Sequence, residues 1–353
     1  MIPESPLGSE HQKLGAQLAP YFGCLLPEAF THTEAECRVA RESVALLDAT
    51  YRAVFEFTGP DRIRYLNAVL TNNVKDLAPG QGTVALLLNP QGHILAELEC
   101  LVLEEKVVAV SHLLVRERAA QTLEKYIIMD DVTLEDATDR TVVLAVEGPK
   151  AAELVREFAG LELSSMNKFA HAATNLAGIP CRVVRRSHFG ETGADIYADR
   201  AQASALWQAL LAAVRGKGGA PIGYQAVNIL RLEAGIPWFG YDFDDKVIPH
   251  EAGLEQSHIS YTKGCYTGQE IVERVRSRGH ANRRRICLSF PGANIPEAGT
   301  KLLASGKVVG YVTSAAYSPR SGRVIGMGYL RREYVSPGTV VEWNLGTAEV
   351  SSG

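Results

Sequence analysis

The spacing of apolar residues in the first part of the chain predicts helices and strands in mixed order. An apolar helical period covers residues 33–48, and Thr33 with Glu36 three positions later has the form of a capping box, which predicts a helix ending near Asp48. The apolar run 53–58 predicts a strand, and a Gly-Pro-Asp turn then leads into a second amphipathic helix. A strand followed directly by a helix is typical of an α+β unit.

Two extended apolar runs, 83–88 and 94–103, are separated by Asn89-Pro90-Gln91-Gly92, whose composition predicts the turn of a β-hairpin. Similar patterns predict further strands at 107–110, 142–146, 181–185 and 195–197, and helices at 113–126, 149–158 and 201–214. Strands and helices mix without a strict βαβ rhythm, so we expect an α+β fold rather than a doubly wound parallel sheet.

From about residue 286 the pattern changes to short apolar segments separated by Pro and Gly. Strands are predicted in close succession at 286–290, 307–313, 324–330 and 340–343. We therefore expect the C-terminal part of the chain to form a small β-barrel.

Composition limits the class of protein. The 353 residues, of which 46% are apolar, are sufficient to bury a large core divided into two or three domains. The formal net charge of −4 argues against bulk electrostatic binding to nucleic acid or to membranes. No apolar run approaches the roughly 18 residues that span a bilayer, and the start of the chain lacks a secretory pattern, so we expect a cytoplasmic protein.

Cysteines and histidines are spread along the chain without the spacing of metal ligands. The absence of CxxC, HxH and HExxH patterns predicts reduced thiols, no bound metal and no iron-sulfur cluster of the protein's own. Six arginines crowd twelve positions, at Arg274, Arg276, Arg278, Arg283, Arg284 and Arg285. They indicate either a solvated face or a site for an anionic partner.

The most distinctive segment is Lys263-Gly264-Cys265-Tyr266-Thr267-Gly268-Gln269-Glu270, which places Cys265 in a turn before a helix predicted at 269–278. A thiol near a helix N-terminus and two residues from Lys263 is expected to be more nucleophilic than an ordinary cysteine. The alternative is a buried, inert cysteine in a tight turn, and composition alone favours that alternative.

This segment, KGCYTGQE, resembles the signature of the YgfZ family of folate-binding proteins, which support assembly or repair of iron-sulfur clusters. The stretches 230–237, 249–255 and 282–285 are similar to the wider superfamily that includes the glycine-cleavage T protein, a folate-dependent aminomethyltransferase. Further similar elements at 5–7, 58–62, 70–74 and 190–195 extend the resemblance over nearly the whole chain.

The resemblance implies a three-domain, cloverleaf-like ring with tetrahydrofolate in a central channel. We expect residues 1–50 with 140–240 to form one α+β domain. Residues 51–139 with 241–281 form the second α+β domain and carry the KGCYTGQE segment at its edge, and residues 282–353 form the C-terminal β-barrel.

Folate contacts follow from the same resemblance. Asp195 takes the place of a glutamate in the T-protein pattern, which makes it the candidate carboxylate for the pterin ring. Further contacts are expected from Arg231, Glu233, Trp238, Phe239 and Tyr266. Without the resemblance, Asp195 is a solvated acid, the charges at 231 and 233 form a structural ion pair, and the tryptophan packs in the core.

One departure from the T-protein pattern concerns residues 89–97, where T proteins carry two adjacent aspartates and this chain has Ala96 at the first. With the first aspartate taken as the catalytic acid, Ala96 is expected to remove aminomethyl transfer and to leave folate binding intact. Because strand residues alternate between faces, Glu97 is not expected to replace that acid.

The leading hypothesis is therefore a YgfZ-type, tetrahydrofolate-binding factor that supports iron-sulfur cluster assembly or repair in client enzymes, with Cys265 as its reactive thiol beside Lys263. The alternatives are a folate-dependent aminomethyltransferase or related one-carbon transferase, and a binding module that keeps the fold only. The arginines suit a polyglutamyl folate tail or an acidic partner protein, and nucleic acid is an unlikely partner.

Overall fold

Two β-sheets and a C-terminal barrel organise the chain in the computed structural model, which describes residues 2–351. The helices are Gly8–Lys13 (α1), Thr33–Glu42 (α2), Arg62–Val69 (α3), Arg116–Lys125 (α4), Ala151–Ala159 (α5), Ala203–Gly216 (α6), Tyr224–Glu233 (α7), Pro249–Ala252 (α8) and Gln269–Arg278 (α9). The strands of the first two-thirds are Gln17–Tyr21 (β1), Cys24–Ala29 (β2), Ala45–Asp48 (β3), Arg52–Thr58 (β4), Gly82–Leu88 (β5), Ile94–Val102 (β6), Val107–His112 (β7), Thr133–Asp136 (β8), Thr141–Glu147 (β9), His171–Leu176 (β10), Ile179–Arg185 (β11), Gly193–Asp199 (β12) and Ala220–Pro221 (β13). The remaining strands are Arg283–Phe290 (β14), Lys301–Ala304 (β15), Lys307–Ser318 (β16), Arg323–Arg331 (β17), Val340–Trp343 (β18) and Gly346–Ser351 (β19).

The first sheet has the order β10-β11-β12-β9-β3-β13, antiparallel except for the parallel pair β3 and β13. Alternate residues of its strands face opposite sides, as the period of two requires. Leu144 of β9 packs outward with Leu154 of α5 and Leu206 of α6, whereas Val143 and Ala145 face inward.

The second sheet has the antiparallel order β5-β6-β7-β4-β8. Phe55 and Ala96 face the helix side, where they share a core with Leu66 of α3. Val54 and Leu101 face the other way and join the inward residues of the first sheet in a common core. The two sheets therefore pack face to face, with helices on their outer sides.

The C-terminal strands form a closed barrel in the order β14-β17-β16-β15-β18-β19. Leu288, Phe290, Val312 and Val341 fill its interior, and the Trp343 ring packs edge-on against Phe290. Closure leaves no free sheet edge. Both the α+β fold class and the C-terminal barrel are thus confirmed, and no helix within residues 2–351 is long and apolar enough to cross a membrane.

The helix predicted over 33–48 was wrong in its second half. The helix α2 ends at Glu42, and residues 45–48 form β3, which is buried between β9 and β13. Pairing with two distant strands outweighs the local helical period there. The capping box is also absent, because the buried Glu36 carboxylate instead accepts the backbone N–H groups of Phe30, Thr31 and Gly223.

A buried carboxylate ties the N-terminal segment to the first sheet. Asp48, at the end of β3, accepts hydrogen bonds from the Ser5 hydroxyl, from His11 Nε2 at 2.7 Å and from the Thr50 backbone N–H at 2.9 Å. Burial alone would raise the pKa of Asp48, but the hydrogen bonds from His11, Ser5 and Thr50 outweigh it and hold that pKa below its usual value.

We expect Asp48→Asn to lower the free energy of unfolding at neutral pH by about 3 kcal/mol, because it breaks a fully buried polar pair. The folded-state pKa of Asp48 lies below the unfolded value of about 3.9. The ionised Asp48 carboxylate therefore contributes to the free energy of unfolding at pH values above its unfolded pKa. This contribution is lost as the pH falls from that value towards the pKa of Asp48 in the folded protein. Urea denaturation of the variant should show a flatter dependence on pH below 5 than that of the wild type, and equal curves would contradict this role.

Asp139→Asn is the matched control. Asp139 pairs with Arg116 at 2.7 Å, but its side chain is 79% exposed. Its removal should change the free energy of unfolding by at most about 1 kcal/mol, because exposed ion pairs contribute little.

Candidate functional site

A cavity of about 240 Å³ opens where the inner faces of the two sheets, the loop after α7 and the first barrel strand meet. Its polar lining includes Glu97, Glu99, His112 and His188, and its apolar lining includes the rings of Tyr51, Trp238 and Phe239. Acidic, basic and aromatic groups that are remote in sequence therefore converge on one enclosed space, as is typical of ligand sites.

Glu97 of β6 presents an ionised carboxylate to this cavity. Its Oε1 lies 2.9 Å from His258 Nε2, and its Oε2 lies 3.5 Å from His112 Nε2. Burial would raise the pKa of Glu97, but the two imidazoles outweigh burial and hold that pKa well below its usual value. The side chain keeps 18% of its surface exposed, so a ligand in the cavity can reach it.

The interpretation of Ala96 needs correction. Ala96 is fully buried on the helix side of the second sheet together with Ile94 and Leu98, away from the cavity. An acid at position 96 would point into that apolar core, and the alternation along β6 instead directs Glu97 and Glu99 to the cavity. The cavity therefore keeps carboxylates at Glu97 and Glu99, and the alanine at position 96 removes none from it.

At one wall of the cavity, opposite charges alternate across the two sheets. Glu99 of β6 accepts a hydrogen bond from Arg186 Nε at 2.6 Å and forms an ion pair with Arg52 Nη2 at 2.6 Å. Arg186 Nε also lies 3.8 Å from Asp195 Oδ2 on β12. Burial disfavours the charge of Glu99, but the two arginines outweigh it and lower the pKa of Glu99. The two positive and two negative charges compensate one another inside the protein.

Asp195, the predicted pterin anchor, lies one layer behind the cavity wall. Its Oδ1 is 2.6 Å from His188 Nε2, and it is His188 that lines the cavity. Burial would raise the pKa of Asp195, but His188 and Arg186 outweigh it and lower the pKa to about 2. This geometry suits a carboxylate that orients His188 rather than one that contacts a ligand itself.

The loop that carries His188 is held by Glu147, the last residue of β9. The Glu147 carboxylate accepts the Ser187 hydroxyl at 2.7 Å and the backbone N–H groups of His188, Phe189 and Glu191. Four donors on one buried carboxylate fix the loop, and so fix where the imidazole enters the cavity.

Arg231 and Glu233 of α7 are engaged in structural contacts. Arg231 is fully buried and pairs with Asp242, whose carboxylate also accepts the hydroxyls of Thr313 and Ser314 on barrel strand β16. Glu233 accepts Arg41 at 2.6 Å. Arg231 and Glu233 therefore do not pair with each other, and each forms its own structural ion pair. Through Asp242, Arg231 links α7 to the barrel.

Trp238 and Phe239, two of the predicted folate contacts, both line the cavity. The Arg231 guanidinium lies 4.6 Å from the centre of the Trp238 ring, and Phe239 stacks on the His112 ring at 5.5 Å. These contacts hold the two aromatic side chains in place as a wall of the cavity.

The KGCYTGQE segment lies apart from the cavity, on the helix side of the second sheet. The Lys263 ammonium donates to the backbone carbonyls of Asn67, Leu70 and Asn72, and burial lowers the pKa of Lys263 to about 8. Tyr266 packs into the core of that side, with its ring 5.1 Å from Lys263 Nζ. Tyr266 is therefore not placed to contact a ligand in the cavity.

Cys265 is exposed, whereas Cys24, Cys37, Cys100 and Cys181 are buried and Cys287 is intermediate. The buried alternative for Cys265 is thus excluded. The turn that follows is pinned to the hairpin between β5 and β6: Gly268 has φ +82°, and a Cβ added there would lie 2.7 Å from the Asn89 carbonyl oxygen. Only glycine allows that approach.

Most of the arginine cluster is paired within the chain. The partners are Glu270 for Arg274, Glu273 for Arg276, Glu251 for Arg283, Glu255 for Arg284 and the Ala252 carbonyl for Arg285. The side chain of Arg278 lies outside the described residues. These contacts match the alternative of a partly neutralised face, although Arg285 also reaches the cavity.

Sequence patterns missed the histidines at 112, 188 and 258, because isolated histidines carry no spacing signal and only the fold brings them together. Glu97 and Glu99, in contrast, could have been recognised from the sequence pattern. They are two acids on one face of a strand that is otherwise apolar. Within residues 2–351 no group of three or more His, Cys, Asp or Glu side chains is arranged to hold a metal ion.

Comparison with known proteins finds similarity over nearly the whole chain. The GCVT N-terminal domain matches residues 7–259, and the glycine cleavage T-protein C-terminal barrel domain matches residues 283–351. An aminomethyltransferase of Rubrobacter xylanophilus is 30% identical over 329 residues, which are 93% of this chain and 87% of that protein. One of Symbiobacterium thermophilum is 30% identical over 349 residues, which are 97% of this chain and 92% of that protein.

The solved structure of glycine cleavage system aminomethyltransferase T from Bartonella henselae has the same fold. It superposes with a TM-score of 0.90 at 25% identity and covers 100% of this chain and 97% of that one. With both domain models matched in order and the fold shared throughout, the chain belongs to the glycine cleavage T-protein (GCVT) family.

Proposed function

We propose that the protein is a tetrahydrofolate-dependent one-carbon transferase of the aminomethyltransferase type. The observation that carries this proposal is the ionised Glu97 carboxylate, which faces the cavity between two imidazoles. The aminomethyltransferase names of the relatives favour this function over the YgfZ-type alternative.

The groups in the cavity suit a reduced folate. Aromatic walls at Tyr51, Trp238 and Phe239 offer faces for a flat ring, and Glu97 and His188 offer partners for ring N–H groups and nitrogens. A cavity of about 240 Å³ takes the ring part of such a ligand rather than the whole. Lys168 and Arg285, also in the lining, supply positive charge for the carboxylates of a glutamyl tail.

Tetrahydrofolate would supply the nitrogen that accepts the one-carbon unit. The role of Glu97 is then electrostatic. Its Oε2 can accept an N–H group and stabilise positive charge that develops next to it in the cavity. His112 packs against the same oxygen, and burial lowers the pKa of His112, so that this imidazole stays neutral and leaves the carboxylate charge available.

Glu97→Gln keeps the shape of the side chain and removes its charge. We expect the transfer rate to fall about 100-fold, the typical cost of removing one such electrostatic contact. The measurement is ammonia release and methylenetetrahydrofolate formation from an aminomethyl-loaded lipoyl protein, with calorimetric titration of 5-formyltetrahydrofolate run in parallel. Glu105→Gln, at an exposed turn, is the matched control and should retain full activity.

Ala96→Asp sharpens the same test, because it restores the first aspartate of the T-protein pattern. It should destabilise the protein by burying an acid in the helix-side core, without raising the transfer rate. A wild-type protein that neither binds folate nor releases ammonia sinks the proposed function. A gain of transfer in Ala96→Asp would show that position 96 faces the ligand and would contradict the role of Glu97.

A YgfZ-type role in supporting iron-sulfur client enzymes is the second candidate, and the exposure of Cys265 favours it. The KGCYTGQE turn presents this thiol to solvent, while the Lys263 contacts and the close approach of Gly268 hold the turn in place. A thiol presented in this way is available to a partner protein.

Cys265→Ala should leave folding and folate affinity unchanged, because the side chain is exposed, and should abolish rescue of iron-sulfur enzyme activity in a strain that lacks the gene. Cys287→Ala removes a half-buried thiol in the barrel and serves as the control that still rescues. Full rescue by Cys265→Ala excludes this role. Loss of rescue with normal transfer activity would separate it from the first proposal.

A further inference from the structure

A chain of hydrogen bonds runs from the rim of the cavity to Glu97. The Ser257 hydroxyl lies 2.7 Å from His258 Nδ1, and His258 Nε2 lies 2.9 Å from Glu97 Oε1. All three side chains line the cavity. Ser257 is exposed and His258 is buried, so the chain leads from solvent to the interior.

The ionisation of Glu97 sets the direction of these bonds. A carboxylate only accepts hydrogen bonds, so the proton between Glu97 and His258 belongs to Nε2 of the imidazole. In neutral imidazole the other nitrogen is then an acceptor, which requires the Ser257 hydroxyl to donate to Nδ1. The basic nitrogen of His258 therefore faces the hydroxyl at the cavity rim.

The charged groups near these hydrogen bonds do not compete with His258 for Glu97. His112 on β7 faces the second oxygen of Glu97, and burial together with Arg52 and Arg186 lowers its pKa. The two arginines are themselves paired with Glu99. No positive charge among these groups competes with His258 for Glu97 Oε1.

We propose that His258 is the proton carrier of this site, taking a proton at Nδ1 through the Ser257 hydroxyl while Glu97 acts as the positioning carboxylate that fixes its tautomer. The inference rests on the proposed transfer function and deepens it. A nucleophile, a base and an orienting acid in hydrogen-bond reach of one another are the arrangement that activates hydroxyl groups in enzymes.

Proton transfer along the hydrogen bonds from Ser257 to His258 balances. As a ligand N–H gives its proton to Ser257 Oγ, the hydroxyl passes its own proton to His258 Nδ1, and Ser257 remains neutral. The imidazolium that forms is stabilised by the Glu97 carboxylate 2.9 Å away. The proton then returns to water along the same path, because Ser257 is exposed.

Glu97 itself is a poor alternative carrier. The neighbouring imidazoles hold the pKa of Glu97 well below its usual value, which makes the carboxylate a weak base. A general base works best when its own pKa lies near the pH of the reaction. The Glu97 carboxylate does not meet that condition.

The kinetic test uses variants that keep the shape of the site. His258→Gln retains a donor to Glu97 but cannot take up a proton, and should lower the transfer rate about 100-fold. Ser257→Ala should lower it about tenfold, whereas Ser257→Thr keeps the hydroxyl and should stay within about twofold of the wild type. Calorimetric titration with 5-formyltetrahydrofolate should give similar affinities for all four proteins, so that the loss lies in kcat. Full activity in Ser257→Ala overturns the relay.

The tautomer can be read without any ligand. In ¹⁵N-histidine-labelled protein, nuclear magnetic resonance distinguishes the two neutral forms of an imidazole, and His258→Gln identifies the signal. We expect the Nε2–H form in the wild type and a loss of that preference in Glu97→Gln. An Nδ1–H form in the wild type would falsify the proposal.

The two measurements separate two kinds of failure. A wild-type protein that shows the Nε2–H form but transfers nothing sinks the proposed function and leaves only the hydrogen-bond chain. A protein that transfers normally while His258→Gln retains full rate keeps the function and removes His258 as carrier. Rescue of a His258→Gly variant by added imidazole supports the relay, because a merely structural role would not respond to a free base.

Discussion

The site depends on a set of opposite charges buried between the two sheets. Arg52, Glu99, Arg186 and Asp195 come from both sheets and pair with one another where the sheets meet. Each charge alone would be costly in that interior, so the four side chains must lie together where the two sheets meet. The same condition fixes His188, through Asp195, and places Glu97 two residues from Glu99 on the same face of β6.

One strand therefore serves two purposes. The side of β6 that faces the helices is apolar and carries Ala96, while the side that faces the first sheet carries the acids of the cavity. A shift of one residue along this strand decides whether a side chain faces the helix-side core, as Ala96 does, or the cavity, as Glu97 does. Family membership and geometry agree on this point: the chain shares the T-protein domains, and its cavity keeps an ionised acid. The KGCYTGQE turn is a separate feature on the other side of the same sheet.

Much of the fold could be predicted from local patterns. The β5–β6 hairpin was predicted within about a residue, since apolar runs flank a turn of suitable composition, and the barrel followed from short strands in close succession. Residues 45–48 could not be predicted as a strand, because their partners lie about 100 and 175 residues away along the chain. Less of the candidate site than of the fold could be predicted from the sequence. Trp238 and Phe239 were found through the resemblance, but His258 and His188 gain meaning only from neighbours that the fold supplies.

Close contacts at two glycines hold the turn that carries Cys265 against the β5–β6 hairpin. Gly268 sits against the Asn89 carbonyl, and a Cβ at Gly92 would lie 3.0 Å from Ile271 of α9, so that the tip of the β5–β6 hairpin and the start of α9 fit into each other. The hairpin continues directly into the strand that carries Glu97. The turn that presents Cys265 therefore packs against the hairpin whose second strand carries Glu97. A bulkier residue at Gly268 or Gly92 would force this contact apart. A substitution in the exposed turn would then also displace the strand that presents Glu97 to the cavity.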